Sequence, residues 1–458
     1  MKRFTFFLSD IIALNLALIA TIGIRYSNEF QAQYQLHLIP FGIMFAVWLT
    51  VFYITNLYDQ QSWRNGVVFY SNAWQAIIAA ALLSVMLFYF VPLFGITPKT
   101  NLFLFIAVFA GIELTLRSLL NRIVSTYFAR RTLVIGTTAQ TFELIQYLKD
   151  NPQAGYRLVA FVDLGATLFD SSSAADPSLV VIRDTDTLPD IIQQRHIETV
   201  IISPEGYQMP KLIDTLYRLL EQRVTFYDLA TFYERVTGKV PLGAINQVWF
   251  LQNFSEENRG WYASVKRILD IISATLLSLL ALPFSPLIAL AIKLDSAGPI
   301  FYRQLRMGKG GKPFTLVKFR NMHHNVEKVT GPVWAAENDQ RATRVGKFLR
   351  KSRIDELPQL WNILKGEMSF VGPRPERPEF HEKLKEEIPF YEERYLVTPG
   401  LTGWAQIKHK LDFSGGMTIQ DTAEKLQHDL FYIKNRSLLL DLGIFLRTIN
   451  ILIKRVFA

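Results

Sequence analysis

The sequence predicts a membrane α-helical bundle joined to α/β structure. A four-helix transmembrane region covers 1–125 and a parallel-sheet domain covers 130–250. A third domain follows over 260–458, entered by a re-entrant membrane helix at about 264–294. Three observations predict this. Four apolar stretches of near membrane-spanning length fill the first quarter of the chain. β-branched runs then alternate with helical periodicity, the pattern of a doubly wound sheet. Finally, 16 Lys plus Arg face 8 Asp plus Glu between Phe301 and Phe380, so this segment holds nearly all of the chain's formal charge of +9. Half of the 458 residues are apolar and 19% are charged, against about 25% in soluble domains. Such a composition excludes a disordered chain and a small secreted scaffold. The absence of cysteine excludes disulfides, thiolate zinc sites and a cysteine nucleophile.

The apolar stretches are roughly Phe4–Ile24, Leu36–Leu57, Ala73–Leu93 and Leu102–Leu119, each near the ~20 residues needed to cross ~30 Å of hydrocarbon. Lys2 and Arg3 precede the first. No small-residue cleavage site stands out after its long core, so it reads as an uncleaved anchor. Those two residues, with Arg117, Arg122, Arg130 and Arg131 around the end of the fourth span, put both ends of the bundle in the cytoplasm. Glu113 and Arg117, spaced i, i+4, read as a local ion pair with Arg117 snorkelling toward headgroups. Asp10 lies close to the first interface and reads the same way.

After Arg131 the pattern changes. Thr132–Gly136, Tyr156–Asp163, Leu179–Arg183, Thr199–Ser203 and Val224–Tyr227 read as strands. Helical segments such as Phe142–Lys149, Leu188–Arg195 and Met209–Glu221 separate them, giving a Rossmann-like α/β domain. A dinucleotide fingerprint needs three glycines so that the backbone can approach a pyrophosphate. Here Gly136 stands alone in Gly136-Thr-Thr-Ala-Gln-Thr141. Tyr207 and Lys211 have the spacing of a dehydrogenase Tyr-x-x-x-Lys pair, but Pro210 interrupts the helix that would align them. A structural or regulatory sheet domain is the preferred reading.

Ser264–Leu294 resembles a fifth span. Lys266 and Arg267 precede it and Lys293, Arg303 and Arg306 follow it, so both flanks are basic. Pro283 and Pro286 interrupt its middle, and Asp270 lies in its first turns. A helix that enters the cytoplasmic leaflet, bends at Ser285-Pro286 and returns fits these features better than a crossing.

The segment that follows carries the chemistry. Arg341, Arg344 and Lys347 recur every three positions, and Arg350 and Lys351 continue the series. A solvated helix face, adhesion to anionic lipid and a diphosphate site built from Arg forks all suit such a run. Nucleic acid does not, because the chain lacks an aromatic-basic strip. Asp355 and Glu356 are the acidic pair within this basic stretch. Ser352-x-x-Asp355 fits a capping box. Equally, an Asp carboxylate can form an acyl phosphate, an adjacent Glu can hold Mg²⁺ against a diphosphate, and surrounding cations keep the nucleophile ionised.

The run from Lys266 to the C-terminus resembles the bacterial sugar transferase family, the monotopic phosphoglycosyl transferases. The motifs that carry the resemblance are Lys318-Phe-Arg320, Ser352-x-x-Asp-Glu-Leu-Pro-Gln359, Gly372-Pro-Arg-Pro375 and Pro399-Gly-x-Thr-Gly-Trp404. With four spans and a sheet domain in front, the whole chain is similar to the large, polyprenyl glycosylphosphotransferase branch. The resemblance implies an α-rich monotopic catalytic domain that moves a hexose 1-phosphate from a UDP-sugar to polyprenyl (undecaprenyl) phosphate. UMP is released, in a first step of exopolysaccharide, capsule or O-antigen assembly on the cytoplasmic face of the bacterial inner membrane. It further implies Asp355 as nucleophile, Glu356 as Mg²⁺ ligand or assistant, and phosphate or nucleotide contacts from Lys318, Arg320, Arg341, Arg350 and Arg374. Asp270, Ser285 and Pro286 match the re-entrant helix, and a homodimer through the spans or the sheet domain is suggested by the resemblance alone.

Three departures stand out. Asn321 replaces the usual Ser or Thr after Lys-Phe-Arg, Lys408-His-Lys410 stands where many relatives have Asn-Gly-Arg soon after Gly-Trp-Ala-Gln, and His428 replaces a common Tyr before Asp429. Two other activities remain compatible with the chain: a membrane-tethered, NAD-dependent sugar epimerase or dehydratase, and a non-catalytic assembly scaffold. His323 and His324 read as loop surface, and His196, His381 and His409 have no clustered spacing.

Overall fold

The computed structural model describes residues 2–59, 62–90, 99–126, 129–165, 179–221, 224–254, 260–324, 339–408 and 418–457. The chain divides into two compact units, Met1–Phe232 and Tyr233–Ala458. Five helical stretches among the described residues are long and apolar enough, by length and composition, to cross a membrane.

In the first unit these are α1 (Lys2–Arg25), α2 (Phe30–Ile54), α3 (Val67–Phe90) and α4 (Lys99–Thr126). The third was expected to run to Leu93; residues 91–98 lie outside the described ones. Aromatic side chains fill the core between these helices, with Phe41, Trp48, Phe52, Phe105 and Phe109 all buried. Trp48 meets Phe109 edge-on at 4.8 Å and donates its indole N–H to Ser84 Oγ at 2.7 Å, which satisfies the polar end of an otherwise apolar ring. The expectation for Arg117 is corrected. Its guanidinium is fully buried and bridges Asp10 at 2.6 Å and Glu113 at 3.1 Å, while Tyr58 donates to Asp10 at 2.6 Å. Arg117 also lies over the Phe6 and Tyr58 rings. The partner that draws it inward is Asp10, 107 residues away in sequence, so the i, i+4 pair with Glu113 is one side of a knot tying α1 to α4. Asp10, likewise, is an interior residue of the bundle.

The sheet comprises β1 (Arg130–Ile135), β2 (Tyr156–Val162), β3 (Val180–Ile182), β4 (Thr199–Ile202) and β5 (Thr225–Asp228). All pairs are parallel, in the order β3-β2-β1-β4-β5. Helices α5 (Ala139–Asp150), α6 (Leu188–Gln194) and α7 (Pro210–Arg218) provide the crossovers. Buried Leu133, Ile135, Val162, Val200 and Ile202 form its core with Leu188 and Leu212, the apolar strand composition that parallel sheets require. Where a pyrophosphate-binding glycine would leave open space, a Cβ on Gly136 would lie 2.3 Å from Ser203 Oγ and 3.1 Å from Thr141 Oγ1. The space beside this glycine is filled by the protein's own side chains. Tyr207 stands in a 3-10 turn, and Lys211 follows Pro210 at the start of α7.

Helix α8 (Leu229–Thr237) runs across the division at Phe232–Tyr233, and the second unit continues with α9 (Gln247–Asn253), α10 (Gly260–Ala281), a 3-10 turn (Leu282–Phe284) and α11 (Ser285–Asp295). Pro286 occupies the first turn of α11, where its missing N–H has no helical partner to lose. Ser285 Oγ donates back to the Ala281 carbonyl at 2.9 Å. Leu276, Leu280, Leu282, Phe284, Leu287 and Leu290 are exposed. Both ends of this apolar segment dock on one body. Arg267 donates to the last carbonyls of α13 (Leu360–Lys365) at Ile363 and Leu364, and Lys266 pairs with Asp441 at 2.7 Å. At the far end Val345 N donates to Asp295 at 2.8 Å.

The body itself holds an antiparallel hairpin, β6 (Phe301–Met307) with β7 (Pro313–Phe319), followed by α12 (Arg344–Ser352). β8 (Ser369–Val371) pairs in parallel with β9 (Gly400–Thr402). Helices α14 (Pro378–Glu387), α15 (Trp404–Lys408), α16 (Ile419–Asn435) and α17 (Leu438–Phe457) complete it. Ile292 of α11, Phe319 of β7 and Leu349 of α12 share one buried core.

Candidate active site

The acidic pair is presented by a change of backbone handedness. Helix α12 ends at Arg353, a non-glycine residue with φ 56°, and a 3-10 turn, Ile354–Gln359, starts directly after it. Asp355 and Glu356 sit in that turn and are both buried. The capping-box expectation for Ser352 and Asp355 fails here, because no α-helix begins at Ser352. Its hydroxyl donates backward to Phe348 O at 2.8 Å, and Asp355 instead accepts at Oδ2 from the Asn321 amide at 2.7 Å.

The two carboxylates have different surroundings. Glu356 is clamped by Arg374 at 2.8 Å and Arg353 at 3.3 Å. Burial pushes its pKa up, but the charges of Arg374 and Arg353 outweigh burial and hold it down to about 2. Burial also raises Asp355, and the neighbouring Glu356 charge adds to it; Lys318, Asn321 and Arg374 counteract in part, leaving it at about 6. Lys318 stands opposite Tyr302 in the β6–β7 ladder with its ammonium 5.0 Å from the ring centroid. Burial lowers it to about 8 against the attraction of Asp355. Two adjacent carboxyls driven apart in acidity are a recurrent arrangement for division of labour in catalysis.

Arg374 reaches Glu356 from the loop after β8, and glycines set that loop. Gly372 N donates to Thr402 O, and Gly400 N to Pro373 O, both at 2.9 Å. A Cβ on Gly400 would lie 2.1 Å from Gly372 N, and one on Gly403 would lie 2.2 Å from Gly372 O. The motifs Gly372-Pro-Arg-Pro375 and Pro399-Gly-x-Thr-Gly-Trp404 are thus one object: two backbones in contact with no room for side chains between them. Buried Arg394 adds a hydrogen bond to Arg374 O at 3.0 Å and an ion pair to Asp429 at 2.8 Å.

The structure therefore brings Asp355, Glu356, Lys318 and Arg374 together. Arg320 lies elsewhere: its guanidinium donates to Ala297 O at 2.6 Å and Ser296 O at 2.7 Å, closing the C-terminal end of α11. Arg341 precedes α12 and does not share its face. It pairs with Asp339 at 2.6 Å, and Arg350 reaches the same carboxylate at 3.9 Å. Asp270 accepts from Phe370 N at 3.1 Å, fixing α10 to β8, and Ser285 and Pro286 lie at the α10–α11 junction. Three residues beyond the predicted set join the site or its wall. Arg353, adjacent to the pair in sequence, could have been found by its i, i+3 spacing to Glu356. Asn321 follows Lys318-Phe-Arg directly. Arg306 lies on the same strand face as Tyr302 and Gln304, donating to Gln304 Oε1 at 2.7 Å and Pro375 O at 3.0 Å; its signal was the period of two along β6. His323 and His324 are exposed, and His409 lies outside the described residues.

A family model described as bacterial sugar transferase matches residues 261–455. The UDP-N-acetylgalactosamine-undecaprenyl-phosphate N-acetylgalactosaminephosphotransferase of Aeromonas hydrophila is 42% identical over 239 residues, 51% of this chain and 54% of that protein. This chain thus spans about half the length of that relative. The UDP-glucose:undecaprenyl-phosphate glucose-1-phosphate transferase of Caulobacter vibrioides is 46% identical, covering 40% of this chain and 68% of the relative. The transferase of the same description from Klebsiella pneumoniae is 32% identical over 465 residues, 94% of this chain and 92% of its own length. The last of these matches extends the similarity beyond the acidic pair and its cations to the apolar helices and the sheet, so the chain belongs to the bacterial sugar transferase family.

Proposed function

We propose that this protein transfers a hexose 1-phosphate from a UDP-sugar to a polyprenyl phosphate such as undecaprenyl phosphate, by a two-step, ping-pong route. In the first step a carboxylate oxygen of Asp355 attacks the sugar-bearing phosphorus. The bond to the bridging oxygen breaks, its electron pair leaves with UMP, and an aspartyl phosphosugar remains. In the second, an oxygen of the lipid phosphate attacks the same phosphorus and the Asp355 carboxylate departs. Lys318 and Arg374 offset charge on the transferred group and on UMP. Arg353 and Arg374 keep Glu356 ionised. One observation carries the reading: a buried Asp of raised pKa lies beside a Glu held ionised by two guanidinium groups, within reach of a desolvated lysine.

Among the described residues no group of three or more His, Asp or Glu could hold a metal alone. Mg²⁺ at phosphoryl-transfer sites is held by one or two carboxylates plus substrate oxygens, and the ionised Glu356 meets that requirement. Glu356 would hold the ion with the diphosphate, and the ion would supply further charge stabilisation. The relatives' names supply the lipid acceptor and point to glucose or N-acetylgalactosamine as the sugar; a UMP-release assay across a panel of UDP-sugars identifies it for this chain. We assign the apolar segment α10–α11 to re-entry into the cytoplasmic leaflet of the inner membrane. The docking of both its ends on one body and its exposed leucines support this, and it delivers lipid phosphate and soluble nucleotide to one face.

Purified protein with UDP-sugar and Mg²⁺ should release UMP and retain the sugar phosphate, and Asp355→Asn should lose both. Wild-type behaviour of the Asn variant would show that Asp355 is not the nucleophile.

A further inference from the structure

Asn321 performs a task that the charged groups around it cannot. Lys318 on β7, Arg353 at the end of α12, Glu356 in the 3-10 turn and Arg374 after β8 set the potential at Asp355. A potential does not choose between the two oxygens of a carboxylate, whose terminal torsion is broad and roughly two-fold. A directional hydrogen bond does. The Asn321 amide donates to Oδ2 at 2.7 Å, and both side chains are buried. Because an ionised carboxylate only accepts, the nitrogen end of the amide must face it.

The donor is itself held. Thr343 N donates to Asn321 O at 3.2 Å, and Met322 forms an antiparallel bridge with Ala342. Gly346, in the first turn of α12, approaches so closely that a Cβ there would lie 1.9 Å from Asn321 O. The N-cap of α12, Thr343, accepts from Gly346 N at 2.9 Å and fixes that turn. The backbone of residue 321 is therefore locked to one end of α12, and its amide to the carboxylate just beyond the other.

We propose that Asn321 is a positioning residue for the first phosphoryl transfer: it holds Oδ2 of Asp355 and leaves Oδ1 as the oxygen that attacks phosphorus. This rests on the reading of Asp355 as nucleophile. In the aspartyl phosphosugar Oδ1 carries phosphorus and Oδ2 is the acyl carbonyl oxygen, still an acceptor, so one amide hydrogen bond serves both states. When the lipid phosphate attacks, the Oδ1–P bond breaks, its electron pair returns to the carboxylate, and the same oxygen is presented for the next cycle.

The test uses the full-length protein in lipid nanodiscs, with rapid-quench measurement of the first UMP turnover for wild type, Asn321→Ala, Asn321→Asp and Asn321→Ser. The Asp variant keeps the shape of Asn but cannot donate when ionised; the Ser variant is smaller but can. The first-turnover rate should fall about ten- to a hundredfold for the Ala and Asp variants, the span of a hydrogen bond to a charged group. The KM of the Ala variant for UDP-sugar should stay within about twofold, because that change adds no charge to the diphosphate site. The Ser variant, whose hydroxyl reaches less far from the same backbone, should be faster than Ala and slower than wild type. A wild-type rate in the Asp and Ala variants overturns the proposal, and so does a Ser variant as slow as Ala, which would mark plain packing. If wild type retains no sugar phosphate, or Asp355→Asn still does, the reading of the nucleophile fails and the proposal falls with it.

Discussion

Asp355 and Glu356 are neighbours in sequence, yet one is driven toward its neutral form and the other away from it. The difference lies in what each can touch: Glu356 reaches two guanidinium groups, whereas Asp355 receives a neutral amide and its neighbour's negative charge. A pH consequence follows. Asp355 is raised to about 6, so it is protonated below that value and competent to attack above it. Infrared difference titration of metal-free wild type against Asp355→Asn should show a carboxylate band growing in with a midpoint near pH 6. A midpoint near the ordinary ~3.9 of Asp would contradict it. Arg374 should tolerate no lysine: Arg374→Lys keeps the charge but loses the planar fork, and kcat/KM should fall about tenfold or more. At this scale the acidic pair was legible because it interrupts a basic run. Lys318 and Arg374 were legible through the motifs. Arg341 and Arg350 both face Asp339, an arrangement that depends on where α12 begins, which a three-residue charge period does not define.

Elements position what residues perform. The expected strands and helices of the sheet domain all recur, with ends displaced by at most three residues; helix 139–150, for example, starts after its Thr138 cap rather than at Phe142. Caps and strand ends depend on tertiary hydrogen bonds, so hydrophobic period locates an element better than its boundaries. The same limit hid the break at Arg353, since a left-handed non-glycine residue has no local sequence signal. In the bundle, the i, i+4 spacing exposed Glu113 and Arg117, but nothing local could announce Asp10. The knot there makes a strong prediction. Arg117→Leu leaves Asp10 and Glu113 buried without their cation, and stability should fall by ~3–5 kcal/mol, read as a lower unfolding temperature in detergent. Replacing all three by apolar residues of similar volume should cost much less, because no charge is then left unpaired.

For the whole molecule, hydropathy marked the apolar helices and alternating periodicity marked the parallel sheet. The proposed return of α10–α11 to one membrane face is testable because the chain lacks cysteine. A single introduced cysteine then reports unambiguously. Lys309→Cys, in the exposed turn between β6 and β7, should react with an impermeant maleimide in inverted vesicles and not in intact cells. Labelling from outside intact cells would refute re-entry, because it would mean that the segment crosses.

The glycine contacts behind Arg374 and Asn321 change how a mutational survey of this protein must be read. Alanine scanning is a subtraction experiment at nearly every position: atoms disappear, and lost activity is credited to them. At Gly346, Gly372, Gly400 and Gly403 the same scan is an addition, placing a methyl group where another segment's backbone already lies. An inactive alanine variant at these four positions reports wedged-apart chain segments and a displaced arginine or amide. It says nothing about a missing chemical group. Activity maps drawn without that change of sign would extend the catalytic site into residues that have no side chain with which to take part.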